Sequence, residues 1–223
     1  MATHYFAMDS LSGAPRSLFF VAYPSFEAWQ KDNDATNNNA TLSAALDRAA
    51  VADGDLLTGY ESSTYVYRED LSLRAGVDIP HMRFFEISRF VVRPGHEKEF
   101  EDLAKMYMSA YEKTSPDTHW AVYQSMYGVD NGGVYLVMTP MKSLAETDQG
   151  IADSKKFMSA LGEDGMKKLG ELTAASLEAT QTNIFQINPH NSYPLDEWVK
   201  ANPSFWKPKP AAPAKKPEAK PAQ

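Results

Sequence analysis

Arg83-Phe84-Phe85-Glu86-Ile87-Ser88-Arg89-Phe90-Val91-Val92-Arg93-Pro94-Gly95-His96-Glu97-Lys98-Glu99-Phe100 is the stretch that decides how this chain folds. Its first ten residues are dense in aromatic and β-branched side chains, which suit a pleated, buried strand. Pro94-Gly95 stops that strand. From His96 to Lys113 the apolar residues Phe100, Leu103, Tyr107, Ala110 and Tyr111 recur at spacings of three and four, with Glu97, Lys98, Glu101 and Asp102 on the opposite side. That is the pattern of an amphipathic helix.

Downstream, Trp120–Tyr127 and Val134–Thr139 are apolar runs separated by a segment containing Asn131-Gly132. Asn and Gly tolerate the positive φ of tight hairpin turns, so the two runs are expected to pair. Ser143-Leu144-Ala145-Glu146 has the form of a capping box and should start a short helix. A longer helix is expected after Gly165, with Met166, Leu169, Thr173, Leu177 and Thr180 along one stripe. Asn183–Ile187 reads as a last strand. The order from Arg83 to Asn188 is β-α-β-β-α-β, the ferredoxin-like plan.

The front of the chain repeats part of this plan. Thr3–Ser10 has the shape of Thr118–Ser125, 115 positions later. Gly13 then matches Gly128, Leu18–Val21 matches Val134–Val137, and Pro24 matches Pro140. Ser25–Trp29 matches the Ser143 helix start, Leu42, Ala45, Leu46 and Ala49 mark a later helix, and Thr64–Arg68 is a fourth strand. The first strand and helix have no counterpart; in the second copy they occupy Arg83–Asp117, 35 residues. The expectation is a tandem duplication entered partway through copy one. It divides the chain into a partial unit (1–80), a complete unit (81–190), an irregular segment packed by Trp198, Phe205 and Trp206 (191–206), and a Pro/Ala/Lys tail (207–223) expected to lack a fold.

The chain has 223 residues, 43% of them hydrophobic and 12% aromatic, enough for a sizeable core. Five lysines and one glutamate in Lys207–Gln223 leave a net charge of −11 on the rest, against −7 overall. An acidic body excludes a duplex-binding surface, so nucleic acid is not an expected partner. Cysteine is absent, which excludes disulfides, thiolate metal sites and a cysteine nucleophile. The longest apolar run, Leu18–Tyr23, is too short to span a bilayer, so no membrane insertion is expected.

The segment Phe85–Phe100 resembles the dimeric α/β-barrel superfamily, whose members include antibiotic-biosynthesis-type monooxygenases and NIPSNAP-like proteins. Such members have an extended strand ending in Pro-Gly before a helix with an aromatic residue one turn in. The resemblance covers Arg83–Asn188 fully and Thr3–Arg68 in part. It implies an α+β fold in which two ferredoxin-like units pair their sheets into one barrel, both units coming from this chain or from a homodimer. The chain also looks like bacterial tandem proteins that commonly begin with a secretion signal. An upstream signal would make the protein extracytoplasmic; without one it is cytoplasmic.

A barrel also has a physical reason: the strands carry large apolar residues at both parities, so both sheet faces need cover. No phosphate loop, His-Glu-x-x-His helix or nucleophile elbow is present. On the strand Phe84–Val92, Glu86 and Ser88 share a face with Phe90 and Val92, and are expected to point into the barrel, with Phe85, Ile87 and Val91 toward the helices. A carboxylate placed so needs a partner, Arg68 or a tyrosine. Tyr65, Tyr67, Tyr123, Tyr127 and Gln124 are expected to line the same cavity, and His119, with its repeat equivalent His4, sits just before strand two. The plain reading of these histidines is as turn residues; imidazole also ligates iron and zinc, which keeps haem or a metal as the chemical alternative to having no cofactor. The expected function is a small-molecule-binding or structural barrel with an apolar, tyrosine-lined cavity. The alternative is a cofactor-independent monooxygenase or isomerase acting on a small hydrophobic substrate.

Overall fold

A computed structural model describes residues 4–129 and 133–207. The strands are β1 (Tyr5–Ser10), β2 (Ser17–Val21), β3 (Thr64–Tyr67), β4 (Phe84–Val92), β5 (Ala121–Tyr127), β6 (Val134–Met141) and β7 (Leu177–Tyr193). The helices are α1 (Phe26–Asn37), α2 (Ala40–Gly54), α3 (Glu97–Thr114), α4 (Ala145–Ser176), α5 (Asp196–Ala201) and α6 (Pro203–Trp206). Among the described residues all seven strands form one antiparallel sheet in the order β2-β1-β7-β4-β6-β5-β3.

The segment 84–193 follows the expected β-α-β-β-α-β order, with its strands arranged β7-β4-β6-β5. The Asn131-Gly132 turn lies outside the described residues, but β5 and β6 pair as its flanking sequence requires. Helix α3 packs along α4, and both cover one face of the sheet through Phe100, Leu103, Leu169 and Leu172, against Phe90, Val92, Val122, Tyr135 and Val137. The opposite face carries a second cluster, Met8, Phe85, Ile87, Met138, Phe185 and Ile187, closed at one end by Met82, Trp198, Phe205 and Trp206.

The hairpin β1–β2 pairs with the end of β7, and β3 pairs with β5. The registers of these two junctions correspond. Met8 stands opposite Leu18 on one side and Ile187 on the other; Tyr123 stands opposite Leu136 and Tyr67. One pair further along, Ser10 meets Phe185 and Ser125 meets Tyr65. Gly13 and Gly128, both at φ +76°, follow β1 and β5 and lie against Asn183 and against Ser62–Ser63 respectively. The sheet curls into a half-barrel: the ring of Phe26, just beyond edge strand β2, lies 6.0 Å from that of Tyr127, beside the opposite edge. Between β2 and β3 no strand stands among the described residues.

Three local expectations differ from the structure. The helices expected at Ser143 and after Gly165 are two, run together as α4 and parted at Gly162, whose φ of 66° and ψ of −178° are not helical. Ser143 does not cap it; Glu146 instead accepts from the amide of Lys142. Leu177 and Thr180 belong to β7, which runs 17 residues because its first half pairs with β4 and its second with β1. The segment after Asn188 is not irregular: it completes β7 and then forms α5 and α6. Residues 208–223, the body of the expected tail, lie outside the described residues.

Helix α1 begins as read, the Ser25 hydroxyl accepting from the Ala28 amide at 3.1 Å. Helix α2 buries none of its residues and leaves Leu46 and Val51 exposed.

Candidate functional site

The side chains of a strand alternate between faces, so contacts made by one residue assign its neighbours. On β4, Phe90 and Val92 belong to the cluster beneath α3 and α4, while Phe85 and Ile87 belong to the opposite cluster. This reverses the faces expected for the strand: Glu86 and Ser88 lie on the helix side. Phe85, Ile87, Arg89 and Val91 line the inner face, which α5 and α6 close at one end. The reason is that α3 supplies Phe100 and Leu103 at the level of Phe90 and Val92, and these rings interlock, Phe90 with Phe100 at 5.7 Å and Phe100 with Tyr135 at 4.4 Å.

The expected site residues therefore separate into two groups. Arg68 and Gln124 meet on the helix side, where the Arg68 guanidinium donates to Gln124 at 2.7 Å, to both oxygens of Asp70 at 2.8 and 2.7 Å, and to Glu101 at 2.7 Å. The paired Asp70 hydrogen bonds hold Arg68 above its ordinary pKa, and hold the Asp70 carboxyl below its own. This group ties the end of β3 to α3; Arg68 does not serve as the partner of Glu86. Ser88 bonds to Thr182 across the β4–β7 pair at 2.7 Å.

Glu86 has no hydrogen-bond or ion-pair partner among the described residues, and burial raises its carboxyl pKa. Its charge in turn helps raise the phenol of Tyr111, after burial and Tyr107. Because the folded-state pKa lies above the unfolded value of about 4.3, the native state binds this proton more tightly. Stability from this group is fully present below the unfolded pKa and is lost as pH rises through the folded one. Glu86→Gln is thus expected to stabilise the protein at pH 7 by about 1 kcal/mol, with the gap closing toward pH 4. Urea melts at the two pH values check it; a variant less stable than the parent at pH 7 would overturn this account.

His119 stands at a turn, Nδ1 2.8 Å from the Asp117 carbonyl and Nε2 2.7 Å from the Pro140 carbonyl. His4 contacts the Pro194 carbonyl at 3.1 Å and stacks on Tyr193 at 4.8 Å. Both ring nitrogens of His119 are taken up by backbone carbonyls, whereas His4 engages backbone through Nδ1 alone. Among the described residues no three His, Asp or Glu side chains gather where they could hold a metal.

The inner face holds the tyrosines. Tyr123 and Tyr67 pair at 5.6 Å, Tyr65 stands opposite Ser125, and Tyr127 reaches Phe26. Tyr67 is 44% and Tyr127 61% exposed, so this wall is open. Burial, then the neighbouring Tyr67, pushes the Tyr123 phenol up, keeping it a neutral hydrogen-bond donor at physiological pH.

Residues that sequence reading passed over complete the face. Arg89 stands opposite Leu136 on one side and Gln181 on the other, and Asn183 is opposite Ile87. The parity of Arg89 with Phe85 and Ile87 was the available signal. Two surface hollows, of about 370 Å³ beside Phe26 and Trp29 and about 240 Å³ at Asp9 and Asn188, lie apart from this row and gather no group of acids, bases or nucleophiles.

No family model matches the chain, and no curated protein matches it. Solved structures do. An "anthrone oxidase-like protein" is similar at TM-score 0.55 and 12% identity, the match covering 83% of this chain and 76% of that one. A Fusobacterium nucleatum subsp. nucleatum protein with a provisional monooxygenase name is similar at TM-score 0.50 and 11% identity, covering 83% and 75%. At such identities the likeness is one of fold: this chain shares with them an α+β architecture built on a curled antiparallel sheet.

Proposed function

We propose that the chain is a small-molecule-binding half-barrel made of two ferredoxin-like units in tandem, its ligand lying on the inner face against Tyr65, Tyr67, Tyr123 and Tyr127. The tandem reading is supported by the matched registers at the β1–β7 and β5–β3 junctions, where strand two of each unit pairs with strand four of the other. Two units in one chain then supply the sheet pairing that separate protomers would otherwise provide.

The observation that carries the binding reading is the open aromatic wall. A monomer seldom leaves several large aromatic side chains exposed on one concave surface without a use for them, and phenols combine apolar area with a donor that orients a ligand. Titration with naphthalene-class compounds, followed by tyrosine fluorescence and thermal shift, is expected to give saturable binding and a raised melting temperature. Tyr67→Ala and Tyr123→Ala should each weaken it about tenfold, or about 1.4 kcal/mol. A parent protein that responds to none of these compounds would overturn the reading.

A second reading, cofactor-independent oxygenation of a hydroxylated aromatic, is favoured by the fold shared with an anthrone oxidase-like protein. It adds oxygen uptake on ligand addition, measured with an electrode. Binding without uptake leaves the protein a carrier.

For location, no helix among the described residues is long and apolar enough to cross a membrane.

A further inference from the structure

One row of side chains crosses the inner face at a single level: Gln181 on β7, Arg89 on β4, Leu136 on β6, Tyr123 on β5 and Tyr67 on β3, each directly opposite the next. Neighbouring strands lie about 4.8 Å apart, which puts Arg89 about 10 Å from Tyr123 with Leu136 between them. Above and below Arg89 on its own strand are the buried Val91 and Ile87, and on β6 the buried Val134 and Met138. The guanidinium is thus a cation set in an apolar patch.

Nothing among the described residues answers that charge. Arg68 is bound by carboxylates, and Arg74, Arg83 and Arg93 donate to backbone carbonyls. Arg89 has no hydrogen bond or ion pair among the described residues. No Asp or Glu occupies an inner-facing position of β3, β4, β5 or β6, or of β7 from Ala179 to Ile187. In a chain of net charge −7, a half-buried arginine facing an acid-free surface stands out. A guanidinium offers a planar fork of donors that matches a carboxylate, and Gln181 beside it offers an amide.

Resting on the binding reading above, we propose that Arg89 is the anion anchor of the site and that the ligand is an aromatic carboxylate: the carboxylate on Arg89 and Gln181, the rings over Leu136, the far end against Tyr123 and Tyr67. The span of the row fits a body of two fused rings. Arg16, whose guanidinium lies 5.4 Å from the Phe185 ring on the same face, is a second cation there. It serves as the control.

The test is isothermal titration of the full chain with 2-naphthoate and with its neutral isostere 2-naphthamide, for the parent, Arg89→Met, Arg89→Lys and Arg16→Met. The parent should prefer naphthoate at least tenfold, and the preference should fall as salt rises. Arg89→Met should remove the preference while leaving naphthamide binding within about twofold. Arg89→Lys should keep part of it, and Arg16→Met all of it. Equal binding of both compounds by the parent, or loss of the preference in Arg16→Met rather than Arg89→Met, would overturn the anchor and leave the binding reading standing. Binding of neither compound, with no thermal response to neutral aromatics, would remove both.

Discussion

Trp206→Ala is expected to destabilise the protein by about 3–5 kcal/mol, a large part of the 5–15 kcal/mol that holds a typical domain folded. Trp206 is 3% exposed at the end of the inner-face cluster and packs on Trp198 at 5.5 Å and Phe205 at 5.0 Å. Its indole donates to the Pro80 carbonyl at 3.0 Å. Truncation to alanine leaves a cavity the size of an indole and loses that bond. It also loosens Phe205, over which the Arg83 guanidinium stacks at 3.8 Å. Urea denaturation should show the midpoint falling, with the β7–α5–α6 segment gaining hydrogen exchange first. A loss below 1 kcal/mol would mean that α5 and α6 lie on the sheet without supporting it.

Gly128→Ala should cost about 3 kcal/mol or more, through two separate causes. At φ +76° an L side chain is strained by roughly 1–2 kcal/mol. The added Cβ would also fall 2.2 Å from the Ser62 carbonyl oxygen and 2.9 Å from the Ser63 Cα, backbone atoms that can yield only if β3 moves off β5. Gly13→Ala is the internal comparison. It has the same φ, but its Cβ would meet the amide oxygen of the Asn183 side chain, which can swing aside. Its cost should stay near the strain alone. Paired thermal melts decide the matter, and equal losses at the two glycines would show that β3 is held less firmly against Gly128 than the registers indicate.

The reading of the sequence succeeded where one periodicity dominated. The strand–helix run from Phe84 to Thr114, the β5–β6 hairpin and the Ser25 cap were all legible, because alternation, helical spacing and turn chemistry each pointed one way. Strand faces were not legible. Both parities of β4 are apolar enough to be buried, so the side taken by the helices is set by where Phe100 and Leu103 land, a fact of tertiary packing. The same ambiguity hid Arg89, which between Ser88 and Phe90 reads as a solvent-facing break in an apolar strand. Strand β7 was underread because Glu178–Thr182 is polar; its ladder with β4, not its composition, makes it a strand. The tyrosines were recognised as a group, since four of them recur on two short segments, and Tyr67 and Tyr123 do meet.

The pairing of β1 with β7 joins Tyr5 to Tyr193, nearly the two ends of the described chain. During synthesis the β1–β2 hairpin leaves the ribosome well before β7, the strand that completes its hydrogen bonding. At about 5–20 residues per second, the hairpin waits on the order of ten seconds or more with one ladder unmade. Phe6, Met8, Leu18 and Phe20, which later join the inner cluster, have no cluster to join until then. Such long-range closure slows folding and makes it depend on the whole chain being present. Translation speed and holding chaperones therefore bear on the yield of this protein.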